Sequence, residues 1–586
     1  MSRAVEYDDE IVCLGKGGVY RLRGMTKNDV NSEELTVNNP IPFLEGVEIY
    51  AQEPQGRGYC FVPKDSKNSV ILITKGEGEV NKELKIENDF PVRKLQYSPL
   101  GSYLLVLTVF EQGKNENNLQ VYKLKENVKL LFSFPFKTNS AKVLSTWPPY
   151  RWSNNEIFVF KVQDTSVSIF KSDTESLENP IGTLNFSKSI QLSVSNEIDG
   201  GSDLGEEGSK LSSLNFTVVT PQSAQNMDVY VYHAEMDSKK EIQLSSIGQV
   251  CVKEAQTCQV SWNNSGDSIL VFAQIEGETL GKSYFGSSSL HLLRIQNSKT
   301  VVANSAWKGN KGGNNDLENG NKNGSDGFKP SEKLSLRHQV VVPPEEGPVN
   351  DVAWSPKSNE FLLCKGIIPP ELTLNSGIDG SPKVSFGKSR RNTIRWNPSG
   401  KWFAYGGFGN LAGDLDIWDL DKQKLIGQTN ASCCITLEWS VCGRFLLAST
   451  TSPRLRVDNA IRIFRYNGDL LKRVNFDTLY SAYWSPKTAD YRRSVKYRSV
   501  SPGREFNSKP QPEKQIYRPK WASSGFAERM RAARDSNNVP TVVNVQQKPK
   551  NEYVIPGLPT LEASAAAVAS SRQSNHRQKQ KQKPKK

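Results

Sequence analysis

From Trp354 onward the chain repeats itself. Trp354-Ser355-Pro356-Lys357-Ser358, Trp396-Asn397-Pro398-Ser399-Gly400, Trp439-Ser440-Val441-Cys442-Gly443 and Trp484-Ser485-Pro486 stand 42, 43 and 45 residues apart. That is the period of a four-stranded propeller blade, a unit that cannot bury its apolar faces alone and must stack on its neighbours. Earlier copies are Tyr97-Ser98-Pro99-Leu100-Gly101, Trp152-Ser153-Asn154-Asn155-Glu156 and Trp262-Asn263-Asn264-Ser265-Gly266. Each reads as a turn between two strands: Pro and Gly set the turn, and the aromatic ends a strand and wedges between blades.

A second signal, an alternating strand, trails each turn and is read as the strand that closes the blade. Its copies include Leu119-Gln120-Val121-Tyr122, Val167-Ser168-Ile169-Phe170, Asp416-Ile417-Trp418-Asp419 and Ile461-Arg462-Ile463-Phe464. Trp418-Asp419 is the one unmistakable WD dipeptide. The gap from Trp152 to Trp262 leaves room for an unmarked blade around Phe216 to Tyr232 and an acidic loop over 196–209. Strands near Val12, Val19–Leu22 and Val70–Ile73 suffice for two degenerate blades ahead of Tyr97, and the last copy, at Trp484, has too little chain after it to fill a blade and is expected to close the ring. An insertion over 308–328, where 12 of 21 residues are Gly or Asn, is too poor in apolar residues to order itself. The expected fold is all-β: a WD-type β-propeller of about nine blades over 1–488, followed by a largely disordered basic region over 489–586.

Charge separates the same two parts. The 586 residues carry 75 Lys+Arg against 62 Asp+Glu, but from Tyr491 onward there are 21 against 6, a net of +15, which leaves the body at −2. Only the tail is built for a polyanion. In it, Leu, Ile, Val and Phe supply 14 of 96 residues, below the level at which a chain forms its own core. Arg492, Arg493, Lys496, Arg498 and Arg504 are interleaved with Tyr491 and Tyr497, a mixture suited to pairing with phosphates and stacking on unpaired bases. Arg518 and Lys520 lead into a short helix expected over 523–534, where Arg529, Arg531 and Arg534 add charge. Trp521, Phe526 and Met530 form an apolar docking stripe there, the last two at i, i+4. The chain ends on Lys579, Lys581, Lys583, Lys585 and Lys586, which suit nucleic-acid contact, a nuclear address or simple solubility. Within the body, the turn residues Arg391 and Asn392, and Arg454 with Arg456, are surface candidates; the competing reading pairs Arg456 with Asp458.

Other classes are disfavoured. No apolar run approaches the length of a membrane span, and the N-terminus lacks the apolar core of a secretory signal. Eight irregularly spaced Cys suit buried free thiols in a reducing compartment. There is no G-x-S-x-G elbow, no phosphate-binding G-x-x-x-x-G-K-[ST] loop and no H-E-x-x-H, so no catalytic residue, metal or cofactor is expected.

Five strings in order carry a family resemblance: Ser283-Tyr284-Phe285-Gly286 before Leu290-His291-Leu292; Gly347-Pro348-Val349-Asn350-Asp351-Val352-Ala353-Trp354; the stretch from Gly407 to Asp419; Pro453-Arg454-Leu455-Arg456-Val457-Asp458-Asn459; and Tyr517-Arg518-Pro519. Together they resemble the eukaryotic translation initiation factor 2A family over nearly all of the body. The b subunit of initiation factor 3 is similar in the Arg454–Val457 segment, but would carry an RNA-recognition domain ahead of its propeller. The resemblance implies a nine-bladed propeller with a basic C-terminal region. It also implies a cytoplasmic, non-enzymatic role in initiation: binding the small ribosomal subunit and delivering initiator methionyl-tRNA without using GTP itself. mRNA and other initiation factors are further expected partners, and a monomer is expected. The end of the chain departs from the family's Lys-rich helical heptads, being Ala/Ser/Gln/Lys-rich from Leu561. A protein-only propeller scaffold and a ribosome-biogenesis RNA-binding factor are the alternatives.

Overall fold

The structure, a computed structural model, describes residues 9–23, 35–38, 40–75, 81–124, 128–136, 147–172, 179–199, 212–236, 241–275, 287–297, 329–330, 334–488 and 491–492. Two compact units divide between Phe506 and Asn507. The second lies wholly outside the described residues, as do the 308–328 insertion and the helix expected over 523–534.

Nine sheets of four or five strands make up the first unit. Blade 1 holds Glu10–Gly15, Gly18–Arg23 and Leu44–Glu45, and takes its innermost strand, Leu479–Trp484, from the far end of the unit. Blades 2 to 6 follow over 47–87, 92–134, 150–185, 191–253 and 257–342. Blade 7 is Val349–Trp354, Glu360–Lys365, Glu371–Ser376 and Pro382–Lys388; blade 8 is Thr393–Trp396, Trp402–Gly406, Asp414–Asp419 and Lys424–Asn430. Blade 9 is Thr436–Trp439, Phe445–Thr450, Ala460–Arg465 and Leu470–Asn475. Leu35–Asn38, from the segment between two strands of blade 1, adds a parallel fifth strand to the outer edge of blade 9.

The apolar core is distributed in the same way. Nine buried clusters lie one at each interface between neighbouring blades, so every blade is covered on both faces. Second strands such as Tyr103–Thr108 and Phe445–Thr450 are buried at every residue, whereas the outer Pro382–Lys388 is mostly exposed. This gradient corrects one sequence expectation. The alternating strands at Leu119, Val167, Asp416 and Ile461 are the third strands of their blades, not the closing ones. A fourth strand follows each, and its open edge demands too little apolar character to show in the sequence.

The repeat now has a mechanical explanation. The residue after the aromatic closes the turn, its side-chain oxygen accepting the N–H five positions on: Ser98 Oγ from Tyr103 (2.9 Å), Ser153 Oγ from Phe158 (3.1 Å) and Ser440 Oγ from Phe445 (3.2 Å). The fourth position after the aromatic is left-handed in Gly101, Gly266, Gly400 and Gly443, and in Glu156, which occupies it at φ 58°. The indoles then stitch blade to blade. Nε1 of Trp354, Trp396, Trp439 and Trp484 donates to the backbone oxygens of Ser261, Ala353, Arg395 and Glu438. Each acceptor is the residue just before the repeat Trp of the preceding blade. Trp152 and Trp262 follow blades that lack a repeat Trp, and their buried indole nitrogens have no partner among the described residues. Trp396→Phe is therefore expected to lower stability by about 1–2 kcal/mol, through loss of both a hydrogen bond and part of the ring packing, whereas Trp152→Phe forfeits packing only. Paired urea melts measure the difference, and equal losses would contradict the ladder.

The acidic loop expected over 196–209 is partly strand: Asn196 to Asp199 belong to Gln191–Asp199, which pairs with Ser212–Pro221. Glu197 faces blade 4, where its carboxylate accepts the Asn155 N–H at 2.7 Å. Six cysteines are buried, as expected; Cys251 and Cys433, by contrast, are exposed. No helix among the described residues is long and apolar enough to cross a membrane.

Candidate nucleic-acid interface

Antiparallel order sends the first-to-second turns of every blade to one face of the ring. The second-to-third loops and the connections between blades emerge on the other, and four of these segments form a continuous rim over blades 7 to 9. The connection from blade 7 to blade 8 packs beside the blade 7 loop, Ser389 N donating to Pro370 O at 3.1 Å. Its Arg390 backbone oxygen approaches so close to Gly407 that a Cβ there would sit 2.5 Å from it. The Gly407–Gly413 loop is pinned at its base by Gly413 N to Gly407 O and Gly407 N to Asp414 O. Gly413 has φ 89° and a Cβ there would meet the Ser432 backbone at 2.5 Å, so no other residue fits. The blade 9 loop, 451–459, hangs from buried Asn459, whose Nδ2 donates to Leu455 O and whose Oδ1 accepts the Leu479 N–H.

Arg391 is not at the surface, contrary to expectation. It is 8% exposed and its Nη2 lies 2.8 Å from Asp416 Oδ1, in the WD-bearing strand of blade 8. Gln428 Nε2 donates to the same oxygen at 3.1 Å. Burial raises the Asp416 carboxyl above its ordinary range, and the Arg391 charge and the Gln428 bond pull it back. The reason for the misplacement is local: Arg391 N bonds to Ser389 O in a tight turn that sends one arginine inward and leaves its neighbour Arg390 exposed. Asn392 is half-buried and structural, bridging Phe408 through both its side-chain oxygen and nitrogen.

Arg454 and Arg456 are exposed, as their turn position suggested. Neither makes an ion pair among the described residues, so the competing Arg456–Asp458 pairing does not form. Arg390, which the sequence reading missed, joins them; a basic residue next to a buried arginine in a turn was the available signal. Three aliphatic side chains share this face: Ile367 (79% exposed), Ile368 and Val457 (70%).

Of the tail candidates only Arg492 is described. It is exposed, and its guanidinium donates to Lys487 O at 3.0 Å and to Pro54 O at 3.4 Å, on the turn face. Arg493, Lys496, Arg498, Arg504, Arg518, Lys520, Trp521, Phe526, Arg529, Met530, Arg531, Arg534 and the terminal lysines from Lys579 to Lys586 lie outside the described residues.

The rim falls inside the segments matched by a protein-family model described as "Eukaryotic translation initiation factor eIF2A", 252–310 and 332–482. Initiation factor 2A of Dictyostelium discoideum is 28% identical over 457 residues, covering 76% of this chain and 63% of that one. The Saccharomyces cerevisiae protein of the same name is 28% identical over 411 residues, covering 67% and 56%. The chain is thus similar to eukaryotic translation initiation factor 2A, by the family model over those two segments and by these relatives over most of its length. It aligns with less than two thirds of the length of those two family members. A solved structure titled "Crystal structure of the eukaryotic initiation factor" superposes with a TM-score of 0.55 at 20% identity, over 82% of this chain and 99% of its own, which supports the fold.

Proposed function

We propose that this protein is a cytoplasmic translation initiation factor that binds the small ribosomal subunit and promotes delivery of initiator methionyl-tRNA without consuming GTP itself. The observation that carries the reading is the similarity to initiation factor 2A sequences across most of the propeller, the rim of blades 7 to 9 included. The role is binding, not catalysis. Rigid loops on the ring supply shape, and the tail from Tyr491, with its net +15, supplies phosphate contacts that raise the local concentration of the rest. The missing phosphate-binding motif agrees with a factor that does not turn over nucleotide.

The test is binding of the full chain and of residues 1–488 to purified small subunits, with and without initiator tRNA, at low and moderate salt. The full chain is expected to bind, and the shortened one to bind more weakly with a shallower salt dependence, by roughly 0.7–0.9 in log–log slope for each phosphate no longer neutralised. A full chain that binds neither subunits nor tRNA at low salt overturns the reading.

A further inference from the structure

We propose that the Gly407–Gly413 loop of blade 8 is an RNA phosphate cradle, flanked by Arg390 on one side and Arg454 and Arg456 on the other. The inference rests on the initiation-factor reading and locates on the propeller an RNA contact separate from the tail. Two independent features coincide here. The first is a row of free backbone donors. Gly407, Phe408 and Gly413 spend their N–H groups within the protein, on Asp414 O, Asn392 Oδ1 and Gly407 O. The four residues between Phe408 and Gly413 donate to no acceptor among the described residues, and three of them are exposed at the tip. Gly409 is left-handed at φ 74°, the kind of position that turns successive N–H groups toward one side and makes an anion-binding concavity. The second is guanidinium groups without carboxylate partners among the described residues. A side chain at Gly409 would begin 3.9 Å from Nη2 of Arg454, so that charge stands at the mouth of the loop, while Arg390 borders the base at Gly407 through its backbone oxygen and has an exposed side chain.

The surroundings favour nucleic acid over a phosphorylated peptide. Ser452 N donates to Leu479 O, which ties the arginine loop to the strand carrying Tyr480, an aromatic 51% exposed that borders a groove with Lys16 and Lys64. Arginines that neutralise phosphates next to an aromatic face make the combination by which single-stranded RNA is held.

The experiment uses the full chain and a short fluorescein-labelled single-stranded RNA across a salt titration, with small subunits assayed in parallel. Arg454→Gln/Arg456→Gln is expected to lower RNA affinity about tenfold at low salt and to flatten the log–log slope by roughly 1.4, two contacts at about 0.7 each. Gly409→Asp puts a carboxylate in the cradle at a residue type that tolerates the left-handed region, and is expected to match that loss. Gly409→Asn, equally tolerant but neutral, is expected to retain most of the affinity. Lys123→Glu/Lys424→Glu, remote and exposed, controls for net charge, and thermal melts confirm folding of each variant. RNA carrying 4-thiouridine is expected to cross-link to the 407–413 or 451–459 loops. Unchanged RNA affinity and slope, or cross-links confined to the tail, overturn the cradle. If the arginine variants keep RNA but lose subunits, the rim docks protein, or a phosphorylated segment of one, and the initiation reading survives without the cradle. If the unaltered chain binds neither RNA nor subunits, the initiation reading itself fails.

Discussion

Ending the chain after Thr478 is expected to abolish cooperative folding of the propeller, whereas ending it after Thr488 leaves the melt unchanged. Leu479–Trp484 is the innermost strand of blade 1, paired with Glu10–Gly15 from Ile11↔Trp484 to Gly15↔Leu479. Its Leu479, Ala482 and Trp484 are buried in the cluster that joins blade 9 to blade 1, against Ile11, Cys13, Phe445 and Ile463. Removing buried Leu and Trp side chains costs about 2–5 kcal/mol each, and their sum reaches the roughly 5–15 kcal/mol that holds a domain folded. The loss also strips the N–H that Asn459 accepts, releasing the arginine-bearing loop of blade 9. Thermal melts monitored by near-ultraviolet circular dichroism, with limited proteolysis alongside, check the result. A cooperative melt from residues 1–478 would show that the ring does not depend on this strand.

Arg391→Met is expected to cost about 3–5 kcal/mol near neutral pH, and less as the pH falls. The substitution keeps the side-chain volume but leaves Asp416 a buried carboxylate with only Gln428 beside it, and an uncompensated buried charge is the expensive outcome. Burial already raises the Asp416 carboxyl above its ordinary value, with the Arg391 charge as the first opposing influence. Without that charge it rises further. A carboxyl with a folded pKa above its unfolded one binds more protons when folded, so stability falls as pH rises from the unfolded value of 3.8 through the folded one. The variant should therefore lose more stability than the parent across that interval and stay lower above it. Urea titrations of both proteins between about pH 4 and 7 give the measurement; a pH-independent difference would remove Asp416 from the explanation. Arg391→Met/Asp416→Leu, which removes both charges, is expected to recover most of the loss.

Blade number was legible because the turn chemistry recurs. A residue such as Ser98 or Ser440 must accept a particular N–H, a left-handed position must follow, and Trp must reach the blade before it, so the same residues return with each blade. The unmarked blade around Phe216 was legible only from the length of the gap, since its long strands dispense with that turn. Outer strands were not legible as such: Pro382–Lys388 needs one covered face at most and reads as a polar loop. The rim was half legible. Arg454 and Arg456 lie on a loop whose turn residues announce exposure, but the inward path of Arg391 and outward path of Arg390 are decided by a carboxylate 25 residues away. Sequence order does not record that distance in space.

The closure of the ring also determines how it yields to force. Leu479–Trp484 and Glu10–Gly15 run antiparallel, with the outward-going chain ends beside each other, Ser485 N bonded to Glu10 O at 2.7 Å. Tension applied through those ends loads the rungs of the ladder one after another, as in a zipper, instead of shearing all of them together. A second seam does not share that weakness: Leu35–Asn38 lies parallel to the outer strand of blade 9, with Asn475 Nδ2 donating to Asn38 Oδ1 at 2.7 Å. A pull that parts the inner clasp therefore leaves the outer stitch in place. The ring opens at its inner strand first, still tethered at the outer edge of blade 9, and the same pairings can re-form when the load is released.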